Sequence, residues 1–164
     1  MRSLPLVACL ALVIAGPPQS LNTDAPLETP HVSIVLSSSA ATRADSAVRL
    51  FADISPKPKM HVYAPGEKDQ IAVDITLDRT PAVKAGKTVF PQPEKYFFPP
   101  LKLTQLVYSK PFRLTVPVTF TKVPADGAVT IKGTLTYQAC DDAVCYVPKK
   151  VPVTWTLNPG ALLR

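Results

Sequence analysis

Residues 129–157 read V-T-I-K-G-T-L-T-Y-Q-A-C-D-D-A-V-C-Y-V-P-K-K-V-P-V-T-W-T-L. Apolar and polar side chains alternate over residues 129–137, and many of them are β-branched, which is typical of a half-buried strand. Residues 147–157 read the same way once Pro148 and Pro152 are passed. We therefore predict two neighbouring strands whose adjoining ends carry Cys140 and Cys145, with residues 141–144 forming the tip between them.

The two cysteines pose a choice between a structural crosslink and a working redox couple. Facing α-carbons on paired strands lie about 4.5–5.5 Å apart, which a disulfide can span. The ring that such a bond closes is very small, and loop entropy assigns it about 2 kcal/mol, the low end for disulfides. A bond at an exposed tip also exchanges readily. Spacing alone leaves both interpretations open.

The residues next to the two cysteines have opposite effects on the ionisation of the thiols. Tyr137 and Tyr146 bracket the cysteines in the sequence. Two adjacent acids between the cysteines disfavour a thiolate, whereas two lysines after Pro148 favour one. These four charged residues are Asp141, Asp142, Lys149 and Lys150.

The rest of the chain has the composition of an all-β protein. It contains 19 Pro and 6 Gly, with many Val and Thr residues in short alternating runs. Strands are predicted at 31–36, 47–54, 71–77, 87–90, 103–108, 112–120, 128–138 and 151–157, with turn signals between them. This spacing predicts an antiparallel immunoglobulin-like β-sandwich, with Trp155 in its core.

The amino-terminal residues predict export from the cytoplasm. Residues 1–16 combine Arg2 with an apolar run and small residues at its end, as a cleaved signal peptide does. Residues 17–30 are expected to be a flexible lead-in, and residues 31–164 the domain itself. No later stretch has the roughly 18–20 apolar residues of a membrane span, so the chain is not expected to be membrane-spanning. Its net charge of +6 is spread without a basic run, which argues against nucleic-acid binding.

A second stretch, K-M-H-V-Y-A-P-G-E at residues 59–67, places His61 and Tyr63 on one face if it is extended. They are either a partly buried pair at a strand end or neighbours of the cysteines. In the second case the imidazole could lower a thiol pKa or shuttle a proton. A less favoured alternative is a copper or zinc site made from both cysteines, His61 and Met60.

A third stretch, F-P-Q-P-E-K-Y-F-F-P-P at residues 90–100, groups three aromatic residues between prolines. Several prolines within so short a stretch argue against the interior of a strand. We predict a surface loop that tucks at least one ring into the sandwich. A hydrolase is not expected, because the chain has no G-x-S-x-G elbow and no plausible nucleophile–base–acid set.

Residues 137–148, Y-Q-A-C-D-D-A-V-C-Y-V-P, resemble the active-site segment of the amino-terminal periplasmic domain of the thiol–disulfide interchange protein DsbD. That family also carries Y-Q-x-C, a short acidic loop and then C-Y-x-P. One departure is the loop: four residues separate these cysteines, whereas the family has a member with five.

The resemblance implies a periplasmic thiol–disulfide exchange domain of the protein-disulfide reductase type that needs no cofactor. Cys140 and Cys145 would be its catalytic residues, with Cys145 forming mixed disulfides and Cys140 resolving them. Reducing equivalents would pass from a thioredoxin-like protein or a membrane electron donor, acting in trans, to oxidised periplasmic proteins. The alternative is a non-catalytic envelope interaction module with a structural disulfide.

The resemblance also implies a cap over the disulfide. The family has aromatic residues at the positions of His61 and Tyr63, lining the active site. It also lays an aromatic ring over the cysteines from a loop that precedes a segment resembling residues 106–118 here. That places the cap near residues 96–98, with Phe97 or Phe98 as the shielding ring and Glu94 as the acid of the loop.

Overall fold

A computed structural model describes residues 21–22, 25–39, 47–66, 69–99, 102–121 and 128–157, and the regular structure in these ranges is all β. The strands are β1 Leu21–Asn22, β2 Leu27–Glu28, β3 Val32–Ser38, β4 Ala47–Pro56, β5 His61–Tyr63, β6 Asp74–Leu77, β7 Val83–Ala85, β8 Glu94–Phe98, β9 Leu103–Tyr108, β10 Phe112–Phe120, β11 Val129–Tyr137, β12 Ala139–Cys140 and β13 Lys149–Leu157. The predicted signal peptide, residues 1–16, lies outside the described residues.

The strands form three antiparallel sheets. The first has the order β1-β3-β4-β10-β7, with β2 also paired to β3. The second has the order β13-β11-β6, and the third has the order β12-β5-β9-β8. The chain is thus an antiparallel immunoglobulin-like β-sandwich, as its sequence predicts.

Alternation along the long strands builds the core between the first two sheets. Ile34, Leu50 and Leu114 of the first sheet are buried in one cluster with Leu135 and Trp155 of the second. Each such aliphatic side chain contributes about 1.5–3 kcal/mol when removed from water. The Trp155 side chain is 1% exposed, and its Nε1–H donates to the carbonyl of Phe51 at 3.1 Å, so its predicted place in the core is confirmed.

Two predictions about strands were wrong. The predicted strand at residues 87–90 is absent from the described residues: β7 lies just before it, and Val89 forms only an isolated bridge with Thr115. Residues 90–100, predicted as a loop, contain β8. The prolines lie outside Glu94–Phe98, and among the described strands β8 pairs with β9 alone, so no ladder hydrogen bond is lost to them.

The segment expected to be a flexible lead-in, residues 17–30, contributes two short strands. β1 and β2 both pair with β3, and Leu27 packs against the core. The Thr29 hydroxyl accepts the backbone N–H of Val32 at 2.9 Å and so anchors the turn into β3. The described part of this segment is therefore continuous with the first sheet.

The site is positioned by the junction of the second and third sheets. β11 and β13 pair in register from Val129 and Leu157 to Tyr137 and Lys149. Beyond Tyr137 the chain leaves this sheet, because β12 pairs with β5 of the third sheet instead. It returns at Lys149. We call residues 138–148 the cysteine segment.

Candidate functional site

The cysteine segment holds a disulfide with two unequal ends. Cys140 and Cys145 are bonded and face each other as an antiparallel bridge, with 4.1 Å between their α-carbons. Cys140 lies in β12 with none of its surface exposed, whereas Cys145 belongs to the exposed residues. Of the two cysteines, Cys145 is therefore the one that lies on the solvent side of the bond.

The tip between the cysteines is organised by Asp141. Its Oδ1 accepts the backbone N–H groups of Ala143 at 2.8 Å and Val144 at 2.7 Å, and its Oδ2 accepts the hydroxyl of Tyr146 at 2.8 Å. These hydrogen bonds, that from Ala143 first, lower the pKa of the Asp141 carboxyl. Asp141 thus fixes the shape of the loop and orients Tyr146, the residue after Cys145.

Tyr63 of β5 contacts both sulfur atoms. Its hydroxyl oxygen lies 3.2 Å from the Sγ of Cys140 and 3.2 Å from the Sγ of Cys145. Sulfur in a disulfide carries no hydrogen, so the hydroxyl is the donor. When the bond opens, the same hydroxyl can donate to a thiolate, and hydrogen bonds to charged acceptors are roughly twice as strong as neutral ones.

His61 lies directly opposite Cys140 in the register of β5 and β12. The residue is 2% exposed, and its Nε2 is buried without a hydrogen-bond partner. Its ring packs at a tilt against the Tyr96 ring, with centroids 4.4 Å apart, and meets the Tyr63 ring edge-on at 6.2 Å. Burial lowers the pKa of His61, and the nearby Asp142 and Asp141 oppose that effect.

The hairpin of β8 and β9 covers His61 and the buried cluster around Cys140 from one side. The Tyr96 hydroxyl donates to Oδ1 of Asp142 at 2.7 Å, which raises the pKa of Tyr96, and the ring packs on the buried cluster of Tyr63, Val107 and Cys140. Phe97 projects to the other side of β8 and is 57% exposed.

Of the three aromatic residues of β8, Tyr96 is thus the one that packs on the cluster containing Cys140, whereas the sequence placed the shield at Phe97 or Phe98. Strand alternation explains the difference for Phe97. Phe98 is buried at the far end of the hairpin, paired with Leu103. The acid that holds the covering ring is Asp142.

Glu94 has a separate role at the base of the hairpin. Its Oε1 accepts the backbone N–H of Ser109 at 3.1 Å and the Ser109 hydroxyl at 2.7 Å, and its Oε2 lies 3.6 Å from Nζ of Lys110. These hydrogen bonds lower the pKa of Glu94, those from Ser109 most. Glu94 thus fixes the turn between β9 and β10.

The two tyrosines that bracket the cysteines in sequence converge on His31. The Tyr146 ring stacks on the His31 ring with centroids 4.5 Å apart. The Tyr137 hydroxyl donates to Thr29 at 2.8 Å and lies 3.5 Å from Nδ1 of His31. Burial lowers the pKa of His31, and Lys149 and Lys57 add to that effect. Sequence reasoning missed His31 as part of the site, since it stood only at the start of a predicted strand.

Within the described ranges, no group of three or more His, Cys, Asp or Glu side chains is placed to hold a metal ion. The same part of the chain contains no helix with the length and apolarity to span a membrane.

Comparison with known proteins yields one family. The family model described as "Thiol:disulfide interchange protein DsbD, N-terminal" matches residues 32–156. No curated protein sequence matches the chain significantly.

Three known structures are similar in fold. The N-terminal periplasmic domain of ScsB from Proteus mirabilis has a TM-score of 0.53 at 15% identity, over 82% of this chain and 50% of that one. The reduced DsbD N-terminal domain of Neisseria meningitidis has a TM-score of 0.45 at 21% identity, over 77% of this chain and 90% of that one. The GAE domain of GGA2p from Saccharomyces cerevisiae has a TM-score of 0.48 at 11% identity, over 85% of this chain and 97% of that one. The chain thus spans half the length of the ScsB domain.

Proposed function

The chain belongs to the family of DsbD amino-terminal domains, and on this premise we propose that it relays reducing equivalents from a thioredoxin-like donor to oxidised envelope proteins. Family membership makes it a thiol–disulfide exchange domain. The observation that supports the relay is the asymmetry of its disulfide, in which Cys145 is exposed and Cys140 is buried. An exposed sulfur can receive a partner, and a buried one can resolve the mixed disulfide without being attacked itself.

The first half of the relay reduces the domain. A donor thiolate attacks Sγ of Cys145, forming a bond to that sulfur while the bond to Cys140 breaks. Cys140 leaves with the electron pair as a thiolate. A second donor thiolate then attacks the donor sulfur of the mixed disulfide and displaces Cys145. The donor ends as a disulfide, and the domain has gained two electrons.

The second half reduces a client. The thiolate of Cys145 attacks a client disulfide and releases one client sulfur as a thiolate. Cys140 then attacks Sγ of Cys145, the bond between the two cysteines forms again, and the second client sulfur leaves. This is protein-disulfide reductase chemistry, and Cys140 acts as leaving group in the first half and as nucleophile in the second.

Two tyrosines support these steps. The Tyr63 hydroxyl, 3.2 Å from the Sγ of Cys140, donates to the thiolate that forms there. Tyr96 packs on the buried cluster that contains Cys140 and shields that side of the disulfide from small thiols and oxidants until a partner docks. The shield in our proposal is thus Tyr96, held by Asp142.

We place this activity in the periplasm, where domains of the family act. Export by a cleaved signal peptide at residues 1–16 is part of the proposal. The electron donor, a thioredoxin-like protein or a membrane protein, would act in trans, and oxidised periplasmic proteins would be the clients.

The reduction potential of the Cys140–Cys145 pair tests the proposal. It can be measured on the purified chain by alkylation trapping across glutathione and dithiothreitol buffers. Exchange proteins have values above about −300 mV, and we expect the same here. A value well below that would identify a structural disulfide and favour the interaction-module alternative.

Trapping provides the second measurement. Cys140→Ala leaves Cys145 free and should accumulate mixed disulfides with thioredoxin-like proteins. The matched Cys145→Ala variant leaves only the buried thiol and should accumulate none. Equal trapping by the two variants would contradict the assigned roles.

A further inference from the structure

The burial of Cys140 creates a chemical problem for the proposed relay. In the second half of the exchange, Cys140 must attack as a thiolate, because the thiol itself is not nucleophilic. The residue has none of its surface exposed, and burial disfavours the charged form of a thiol. The step therefore needs a proton acceptor within reach of Cys140.

His61 is placed to be that acceptor. It is the register partner of Cys140 across β5 and β12. Facing residues on antiparallel strands share one face of the sheet, with Cβ atoms about 4.5–5.5 Å apart. An imidazole at that separation reaches a thiol directly or through one water molecule, as proton transfer requires.

The other titratable groups around His61 are engaged elsewhere or unsuited. Asp141 is bonded to the amides of its own loop and to Tyr146, and Asp142 accepts the hydroxyl of Tyr96. Tyr63 and Tyr96, on β5 and β8, are neutral donors at physiological pH. His61 contributes the ring nitrogen that has no partner.

The unpartnered nitrogen is explained by the redox state. Buried polar atoms are nearly always hydrogen-bonded, so an exception calls for a reason. In the disulfide state Cys140 has no hydrogen to donate. Reduction creates an S–H group on the residue that faces His61, and that group supplies the missing donor. We propose that His61 accepts the proton of the Cys140 thiol during resolution and returns a proton to Cys140 when the disulfide opens.

The step balances without any further reagent. His61 takes the proton from the Cys140 thiol, and the resulting thiolate attacks Sγ of Cys145. The disulfide forms, the client sulfur leaves with the electron pair of the broken bond, and the imidazolium passes its proton to that thiolate or to solvent. When a donor reduces the domain, His61 takes a proton from the donor thiol or from solvent, and the imidazolium passes it to Cys140 as that residue leaves as a thiolate.

The electrostatic setting is consistent with this cycle. Burial lowers the pKa of His61, so the ring is neutral and able to accept a proton at neutral pH. Asp142 and Asp141 act in the opposite sense and favour the imidazolium once it has formed. The imidazole of His61 is thus neutral before the step and can still become an imidazolium during it.

The experiment uses Ellman's reagent and the reduced full chain with Cys9→Ser, so that Cys140 and Cys145 are its two thiols. One equivalent of thionitrobenzoate is released when Cys145 attacks the reagent. A second is released when Cys140 attacks the mixed disulfide at Cys145. Because the second phase is intramolecular, it reports the formation of the Cys140 thiolate. Both phases are followed by stopped flow from pH 5 to pH 9.

His61→Phe keeps a ring for Tyr96 to stack on and removes the base. We expect it to slow the second phase about tenfold or more at pH 7, to recover at high pH, and to leave the first phase within about twofold. Gln105→Leu is the matched control, because it removes another buried polar atom that has no partner among the described residues, without removing a base. It should retain the wild-type pH profile.

An unchanged second phase and pH profile in a folded His61→Phe chain would overturn the proposal. If circular dichroism shows that this variant does not fold, His61→Gln, which is polar but does not titrate, is measured instead and judged by the same criterion. This inference rests on the proposed exchange function, and the two fail differently. A chain that shows both phases but traps no thioredoxin-like protein contradicts the relay and leaves the role of His61 intact.

Discussion

The hydroxyl of Tyr96 and the carboxylate of Asp142 are hydrogen-bonded at 2.7 Å, although 46 residues separate them in the sequence. This bond joins the β8–β9 hairpin to the tip between the two cysteines. Asp142 reaches out from the tip, and Tyr96 reaches across from an edge strand whose partner is β9 alone. The Tyr96 ring is thus tied to the loop between the two cysteines.

Tyr96→Phe should make the disulfide easier to reach. The variant keeps the ring and loses the hydrogen bond, so the hairpin opens more often. We expect reduction by dithiothreitol to be about three- to tenfold faster, the range expected for one hydrogen bond to a charged group at a partly exposed site. Phe97→Ala is the control, since that ring is 57% exposed on the opposite side. Equal acceleration in both variants would contradict the role of Tyr96.

Tyr63→Phe should alter the chemistry of the sulfur atoms without disturbing the sheet. It removes the hydroxyl that lies 3.2 Å from each sulfur and leaves the buried ring in place. The Cys140 thiolate then loses a charge-assisted donor, and we expect the pKa of its thiol to rise. Thiolate absorbance at 240 nm across a pH titration measures this.

Tyr108→Phe serves as its control, because that hydroxyl donates to the carbonyl of Pro91 at 2.8 Å, away from the disulfide. A thiol pKa that stays the same in Tyr63→Phe would exclude the hydroxyl from the reaction.

The tip of the cysteine segment should depend on pH through Asp141. Hydrogen bonds from Ala143, Val144 and Tyr146 lower its pKa below the ordinary value of 3.8. The stabilisation of the loop is therefore fully present above pH 3.8 and is lost as the pH falls through the lower folded value. The amide proton shift of Val144 should titrate with a midpoint below 3.8.

In Asp141→Asn this transition should disappear, because the amide does not titrate. A wild-type midpoint at or above 3.8 would show that these hydrogen bonds do not hold the carboxylate.

Trp155→Ala tests the packing beneath the site. The side chain is 1% exposed in the core between the first two sheets, so the substitution leaves a large cavity. We expect the free energy of unfolding in urea to fall by about 3–5 kcal/mol. Thr154→Ala, an exposed neighbour on β13, should change it by less than about 0.5 kcal/mol. Similar losses in the two variants would argue against the assigned core.

The long strands could be predicted because their side chains alternate. β9 and β10 begin and end where the sequence predicts, and β4, β11 and β13 differ by one or two residues. β5 escaped prediction because all three of its residues are buried, which removes the alternation from the pattern. β8 was not predicted because the prolines on both sides of it are typical of a loop.

The site was only partly predictable, because a local sequence pattern does not encode contacts between distant parts of the chain. The cysteines and the acidic tip could be identified from one short segment. Which aromatic ring covers them depends on the register of β8 with β9, where Tyr96 pairs with Gln105. That register is set by hairpin geometry. The contact of His31 with Tyr146 likewise joins residues more than a hundred positions apart, and no local pattern encodes it.

The cysteine segment departs from the second sheet at Tyr137 and rejoins it at Lys149, and these two residues face each other in the last register pair of β11 and β13. The number of residues in the tip, 141–144, is therefore independent of the pairing between β11 and β13. Adding or deleting one residue at the tip would leave that pairing in place and change how the two sulfur atoms approach each other, together with the hydrogen bonds of Asp141 and Asp142. Evolution and protein engineering alike can thus vary the length of this loop, and with it the ease of reduction, without having to redesign the scaffold.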